Sequence, residues 1–285
     1  MTTDYSEFGW SDAQPAFYHE LLCKYIERLL PADGSPILDV GCGNGFTANY
    51  LAGKGYDVYG IDASRQGIAI ANRTGGGNPG RFFVCDVTTG ELPPELRKIP
   101  FRTVISMEVI EHLYSPRTFA AFIRSILEAN GGGRFILTTP YHGYLKNLSI
   151  ALAGKADRHY SALWEGGHIK FWSRRTLAIL LREAGFRNMA FTGAGRIPYL
   201  YKNGYRGPIY TTEATRDLCG IMLEDSAHIQ EQEAEWKNRK AMRSGAEMIE
   251  PDYTVEDAQN VMKQFVPCPY EAWQTLFDGP AGRME

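Results

Sequence analysis

The chain has no apolar run approaching the roughly 18 residues that a membrane-crossing helix needs. Met1 to Trp10 is acidic and polar, without the basic and apolar regions of an export signal. The expectation is no membrane span and no export. Cysteines are few: Cys23, Cys42, Cys85, Cys219 and Cys268, an odd number, widely spaced and without a C-x-x-C pair. That pattern argues for reduced thiols and a cytoplasmic location. Charge of one sign is lacking too, since 30 basic residues against 33 acidic leave a net charge of -3. Without a broad electropositive footprint a nucleic-acid partner is not expected, although a local patch stays open. What the chain does have is 285 residues with a hydrophobic fraction of 44%. That suffices for one large core, with or without an appendage.

The residues from Ile37 to Gly45 read I-L-D-V-G-C-G-N-G, and those from Tyr56 to Asp62 read Y-D-V-Y-G-I-D. A buried strand runs into a glycine turn, a helix returns, and a second strand ends on an acid, which is a nucleotide-binding βαβ unit. The dinucleotide fingerprint G-x-G-x-x-G fails, because Phe46 stands where its third glycine belongs and Gly45 comes one residue early. Asp39, two residues before the first glycine, is also foreign to that fingerprint. The run resembles motif I of the class I S-adenosylmethionine (SAM) methyltransferases, with the acid of motif II at Asp62. The resemblance implies that Gly41, Gly43 and Gly45 leave room for the methionine moiety and ribose. Asp62 would accept both ribose hydroxyls, and Asp86, with Val87 beside it, would lie at the adenine. For Asp86 alone, simple turn chemistry is the other reading. Asp39 and Met107 complete the expected cofactor set, and Ser64 reads as a helix cap.

Strand and helix signals alternate. A helix is predicted from Gln14 to Leu30, with Pro15 in its first turn; in the family it covers the cofactor. Strands follow at Arg81 to Cys85, Val104 to Met107, Gly133 to Thr139 and Phe186 to Thr192, and helices after the caps Ser115 and Ser173. The expected fold is α/β: a doubly wound, mostly parallel Rossmann-like sheet with helices on both faces, plus a mainly helical C-terminal appendage. The connection from Pro140 to Trp172 is too long to be structureless without a function. It carries His142, His159 and His168 among tyrosines and tryptophans, and is assigned the acceptor pocket.

After the fourth strand, Glu108, Glu111 and His112 fall on one face of a helical turn. This E-x-x-E-H pattern resembles two branches of the superfamily, the O-methyltransferases of quinone biosynthesis and the small-RNA 2′-O-methyltransferases. In the second branch a further ligand histidine precedes Phe and Trp, as His168 precedes Phe171 and Trp172. On that reading Glu108, Glu111, His112 and His168 hold a divalent metal ion that lowers the pKa of the acceptor hydroxyl. On the other, the glutamates only position cofactor and helix, His112 is a base or hydrogen-bond donor, and His168 stacks in the pocket wall. The text from Thr138 to Asn147 resembles the quinone-type enzymes, and the resemblance runs from about 17 to 200. Those enzymes tend to meet the SAM carboxylate with an arginine of the N-terminal helix, where Tyr18, His19 and Lys24 stand here. The expected function is methyl transfer from SAM to a hydroxyl of a small-molecule acceptor, with His112, Glu108, Glu111, His168 and His142 as catalytic residues. The alternatives are an RNA 3′-terminal ribose 2′-O-methyltransferase and a SAM-binding protein without turnover.

The stretch from Asn203 to Leu218, continued by Leu223 to Gln230, resembles the interior of a β-CASP metallo-β-lactamase RNA nuclease over about 201 to 273. The H-x-H-x-D-H motif of that family is missing, and His228 alone cannot hold zinc. The expected division is therefore a methyltransferase domain over 1–200 and a non-catalytic helical tail over 201–285. Helices are predicted from Glu213 to about Met242 and from Thr254 to Phe265, the second opening with a Thr254–Asp257 capping box. Ile209 to Thr212 is expected to replace the last strand of the methyltransferase sheet.

Overall fold

A computed structural model describes residues 9–15, 18–74, 80–88, 90–143, 147–148, 150–151, 154, 156–160, 163–164, 166–191, 197–244, 248–268, 277–279 and 282–284. The chain divides into two units, 1–150 with 155–194 and 151–154 with 195–285.

In the first unit the apolar run Ile37–Val40 becomes β1, buried at every residue. It lies between β2 (Val58–Asp62) and β4 (Thr103–Met107), with β3 (Phe82–Val84) and β5 (Arg134–Thr138) outside them. Every pairing is parallel, in the order β3-β2-β1-β4-β5. The helices are α1 (His19–Leu29), α2 (Phe46–Gly53), α3 (Arg65–Thr74), α4 (Pro116–Ala129), α5 (Ala156–Tyr160) and α6 (Arg174–Glu183). Because strand side chains alternate, Leu38, Val40 and Val104 meet Phe119 and Ile123 of α4 and Leu177 and Leu181 of α6 in one layer. Ile37, Ile105 and Met107 meet Leu22 and Ile26 of α1, Leu51 of α2 and Ile68 of α3 in the other. This is the expected doubly wound α/β sheet. Its strand order reverses between β1 and β4, so a crevice opens where Gly41 and Glu108 follow those strands.

The details depart from expectation in three places. First, α1 starts at His19 rather than Gln14. The Asp12 carboxylate accepts from Gln14 N at 2.9 Å, and the buried Asn44 amide donates to the carbonyls of Asp12 and Gln14 at 3.0 and 3.1 Å. That segment is turned and tied down before any helix can form. Second, Phe186 to Phe191 is not a strand. Phe186, Met189 and Phe191 instead pack on the α4–α6 layer, so their spacing serves packing without a ladder. Third, Ile209 to Thr211 does not join the large sheet. It forms β6 of the second unit and pairs in parallel with β7 (Phe265–Pro267), where Cys268 N also donates to Thr211 O. A partner strand within the same unit satisfies the backbone groups that were expected to seek the methyltransferase sheet.

Around that pair the second unit builds α7 (Ile197–Lys202), α8 (Glu213–Ser244), α9 (Val255–Val261) and the hairpin β8 (Phe277–Gly279) and β9 (Gly282–Met284). The Thr254–Asp257 capping box opens α9 as predicted, and α9 packs against α7 and α8. Tyr253 is 1% exposed and its hydroxyl pairs with Ser226 Oγ at 2.8 Å. Among the described residues no helix is long and apolar enough to cross a membrane.

Candidate active site

The glycine turn closes on β2. Gly41 N and Cys42 N both donate to Ile61 O, at 2.8 and 3.1 Å. Gly43 N donates to Asp62 Oδ2 and Ser64 N to Asp62 Oδ1, each at 2.8 Å. The Asp62 carboxylate is thus fixed by one main-chain N–H from the turn after β1 and one from the turn after β2. Ser64 caps the next helix as expected, its hydroxyl accepting from Gly67 N at 2.8 Å.

The three glycines also sit close against protein side chains. A β-carbon on Gly41 would lie 2.4 Å from Val109 Cγ2, on Gly43 2.4 Å from Trp10 Cζ2, and on Gly45 2.5 Å from Ala71 Cβ. Protein side chains thus stand where each of the three β-carbons would go. Gly41 and Gly43 also have φ of 79° and 54°, where a β-carbon is strained in any case.

Asp39 projects into the α1–α3 layer, 1% exposed, with Oδ2 lacking a hydrogen-bond partner among the described residues. Burial, reinforced by the charge of Asp62, pushes its carboxyl up to about 8. Asp86 performs the turn chemistry that was its other reading, Oδ1 accepting from Thr88 N at 2.8 Å and Thr88 Oγ1 at 2.7 Å. Val87 packs, partly buried, on the α4–α6 layer. Met107 is buried at the end of β4, and the Thr47 hydroxyl points to its sulfur at 3.8 Å.

The E-x-x-E-H run does not form one helical turn. Glu108 has φ of 53°, and only Ile110–His112 coils, as a 3₁₀ turn. The unusual backbone is held by Thr138, whose hydroxyl accepts from Glu108 N at 3.1 Å and donates to Glu108 Oε1 at 2.8 Å. Thr139 Oγ1 donates to Glu111 Oε2 at 2.9 Å, and the Glu111 carbonyl accepts from Ile169 N and Lys170 N, both at 2.9 Å. These bonds lay the loop from Gly167 to Lys170 over the turn and bring the rings of His112 and His168 to 4.8 Å.

One possible ligand atom from each of Glu111, His112 and His168 lies within 4.8 Å of the others. Glu108, expected as a fourth member, stands outside that group and is engaged by Thr138. Glu111 is 1% exposed, and its Oε1 has no hydrogen-bond partner among the described residues. Burial and then the charge of Glu108 push its carboxyl up to about 8. Burial lowers the pKa of His112, against the pull of the Gly166 and Gly167 carbonyls. With Nδ1–H assigned to Gly167 O at 3.3 Å, Nε2 keeps its lone pair.

Tyr18 faces the same carboxylates, its hydroxyl pushed up to about 12 by burial, Glu108 and Glu111, in that order. His19 is buried between the rings of Tyr18 and Phe46, at 4.5 and 5.2 Å. Lys24 is exposed. Pro140, His142, His159, Tyr160, Trp164, His168 and Phe171 enclose a cavity of about 110 Å³. His142 is buried, with Phe171 edge-on at 4.9 Å. His168 belongs to both the cavity wall and the Glu111–His112 cluster. Sequence reasoning did not single out Trp10, Asn44, Thr138 or Thr139. The paired hydroxyls at the end of β5, next to a parallel strand followed directly by a glutamate, were the available signal.

The model of the family described as "Methyltransferase domain" matches residues 15–190. A ubiquinone biosynthesis O-methyltransferase of Thiobacillus denitrificans is 27% identical over 220 residues, which cover 75% of this chain and 90% of that protein. The protein of the same name from Cereibacter sphaeroides is 32% identical over 158 residues, covering 55% of this chain and 62% of its own. The mitochondrial one of Arabidopsis thaliana is 32% identical over 123 residues, covering 41% and 37%. Among solved structures, magnesium protoporphyrin IX methyltransferase from Synechocystis with bound SAH is similar at a TM-score of 0.46 and 20% identity, over 65% of this chain and 83% of that one. The chain belongs to the methyltransferase domain family, as a class I SAM-dependent enzyme.

Proposed function

We propose that this methyltransferase alkylates a hydroxyl of a small-molecule acceptor held in the aromatic cavity. The observation that carries the reading is the double membership of His168, which joins the cavity wall to the Glu111–His112 cluster. The relatives are themselves named O-methyltransferases. SAM supplies an electrophilic methyl group. Asp62 and the turn from Gly41 to Gly45 hold its ribose and methionine, and Asp86, Val87 and Met107 border the adenine. Tyr18 and His19, at the start of α1, stand at the methionine end. His112 Nε2 takes the hydroxyl proton as general base, while His142 and the aromatic walls orient the acceptor and exclude water.

The orphaned Oε1 of buried Glu111 supports a second reading, because a cation is the partner such an atom lacks. Glu111, His112 and His168 would hold a divalent metal ion, with Glu108 alongside, and it would lower the pKa of the acceptor hydroxyl. In either reading residues 1–200 form the methyltransferase domain, and 201–285 are a non-catalytic tail.

The test incubates the protein with methyl-labelled SAM, hydroxylated small molecules and an RNA oligonucleotide bearing a 3′-terminal ribose, and reads products by mass. Label on small hydroxyl compounds is expected. Label on the RNA ribose alone overturns the proposal.

A further inference from the structure

The longest helix of the second unit, α8, buries one face within that unit. Ala227 and Ala234 are 0% and 5% exposed, and the Glu231 carboxylate beside them accepts from Val255 N at 3.0 Å, so this face lies on α9. The opposite face is turned to solvent. At helical spacing it carries Ile221, Asp225, Ile229, Gln232, Trp236 and Arg239, every one of them exposed. Ile221 is 73% exposed, Ile229 44% and Trp236 59%. Single exposed apolar residues are ordinary, but three large ones along one helix stripe form a surface of the kind that another surface covers.

The order of the stripe says what covers it. Asp225 and Arg239 stand seven positions before and after Gln232, and Ile229 and Trp236 stand three before and four after. The stripe is therefore complementary to itself when reversed. With a two-fold axis at Gln232, Asp225 meets the partner's Arg239 at both ends of the seam, and Ile229 meets the partner's Trp236 inside them. The two Gln232 amides meet at the axis, where one donates and the other accepts. On the flank, the same symmetry sets His228 against the partner's Glu235. Neither Asp225 nor Arg239 makes an ion pair with another described residue, so both charges are available.

We propose that α8 pairs antiparallel with α8 of a second copy of this chain, which makes the tail a dimerisation module. Parallel pairing would set Asp225 against Asp225 and Arg239 against Arg239, and like charges in contact oppose it. A bilayer would take the apolar residues, but Asp225 sits in the middle of them, between Ile221 and Ile229. In the antiparallel pair that acid has a cation to meet. The proposal is independent of which acceptor the methyltransferase takes.

The experiment measures the mass of the full chain by sedimentation equilibrium. Twice the chain mass is expected at high micromolar concentration, falling to the single chain on dilution. Arg239→Asp sets two acids against each other at both ends of the seam and should weaken the dimer about tenfold. Adding Asp225→Arg restores opposite charges in the antiparallel pair alone, so the double variant should regain the parent's affinity. Trp236→Ala should weaken the dimer about a hundredfold, since the seam loses two copies of one aromatic anchor. All these substitutions lie at exposed positions, and an unchanged helical circular-dichroism signal certifies folding. A chain that stays single at every concentration overturns the proposal. So does a dimer that Trp236→Ala leaves intact, or an Arg239→Asp variant that Asp225→Arg fails to rescue.

Discussion

The six-membered ring of Trp10 occupies the place where a β-carbon on Gly43 would have to go, 2.4 Å from Cζ2, and the same indole would meet a β-carbon on Gly67 at 3.0 Å. Gly43→Ala is therefore expected to destabilise the protein through Trp10 as well as through backbone strain, which alone costs about 1 kcal/mol. Thermal unfolding of the single variants and the Trp10→Ala, Gly43→Ala pair measures the coupling. The Gly43→Ala penalty should be smaller when Trp10 is already absent. Equal penalties in both backgrounds would remove packing as the reason for this glycine.

Asp62→Ala should weaken SAM binding by about 2 kcal/mol, because charge-assisted hydrogen bonds to the ribose disappear together. It also leaves Gly43 N and Ser64 N without their acceptor, so the turn itself loosens. Calorimetry showing unchanged affinity would exclude Asp62 from the cofactor site.

On the metal reading, removal of divalent cations by a chelator should lower turnover while SAM affinity survives, and His168→Ala should reproduce the effect. Full turnover in a chelated, metal-free preparation leaves His112 as general base without a metal. In that case His112→Ala alone should cost about 10² to 10⁴ in kcat.

Asp39 gives a pH dependence of known sign. Its folded pKa stands at about 8 against an ordinary 3.8, so the folded chain keeps a proton that the unfolded chain has already lost. Its contribution to stability is complete below about pH 4 and drains away as pH rises toward 8. The Tm of the Asp39→Asn variant should fall less across that window than the Tm of the parent. Parallel profiles would show that Asp39 ionises freely in the folded protein.

What was legible in the sequence is what short-range chemistry decides. The Ser173 and Thr254 caps are formed by residues three positions apart, and both stand where the sequence put them. The strand-turn-strand from Ile37 to Asp62 could be read because its glycines and terminal acid are closely spaced. Contacts between distant segments could not. Nothing near Gly43 announces that Trp10 will fill its flank, and nothing near Glu108 announces that a threonine thirty residues later will hold it in a left-handed conformation. Apolar spacing likewise could not separate a strand at Phe186 to Phe191 from a loop that packs the same side chains.

The parallel pairing of β6 with β7 orders events in time. Ile209–Thr211 and Phe265–Pro267 are joined by everything from α8 to the turn at Met262–Gln264, so their ladder closes only after that long connection has coiled and folded back. Closure entropy must be met before the ladder returns anything. On the growing chain Ile209–Thr211 therefore emerges with its edge exposed and waits for a partner made more than fifty residues later. During that interval the second unit is open to strand exchange with another copy of itself.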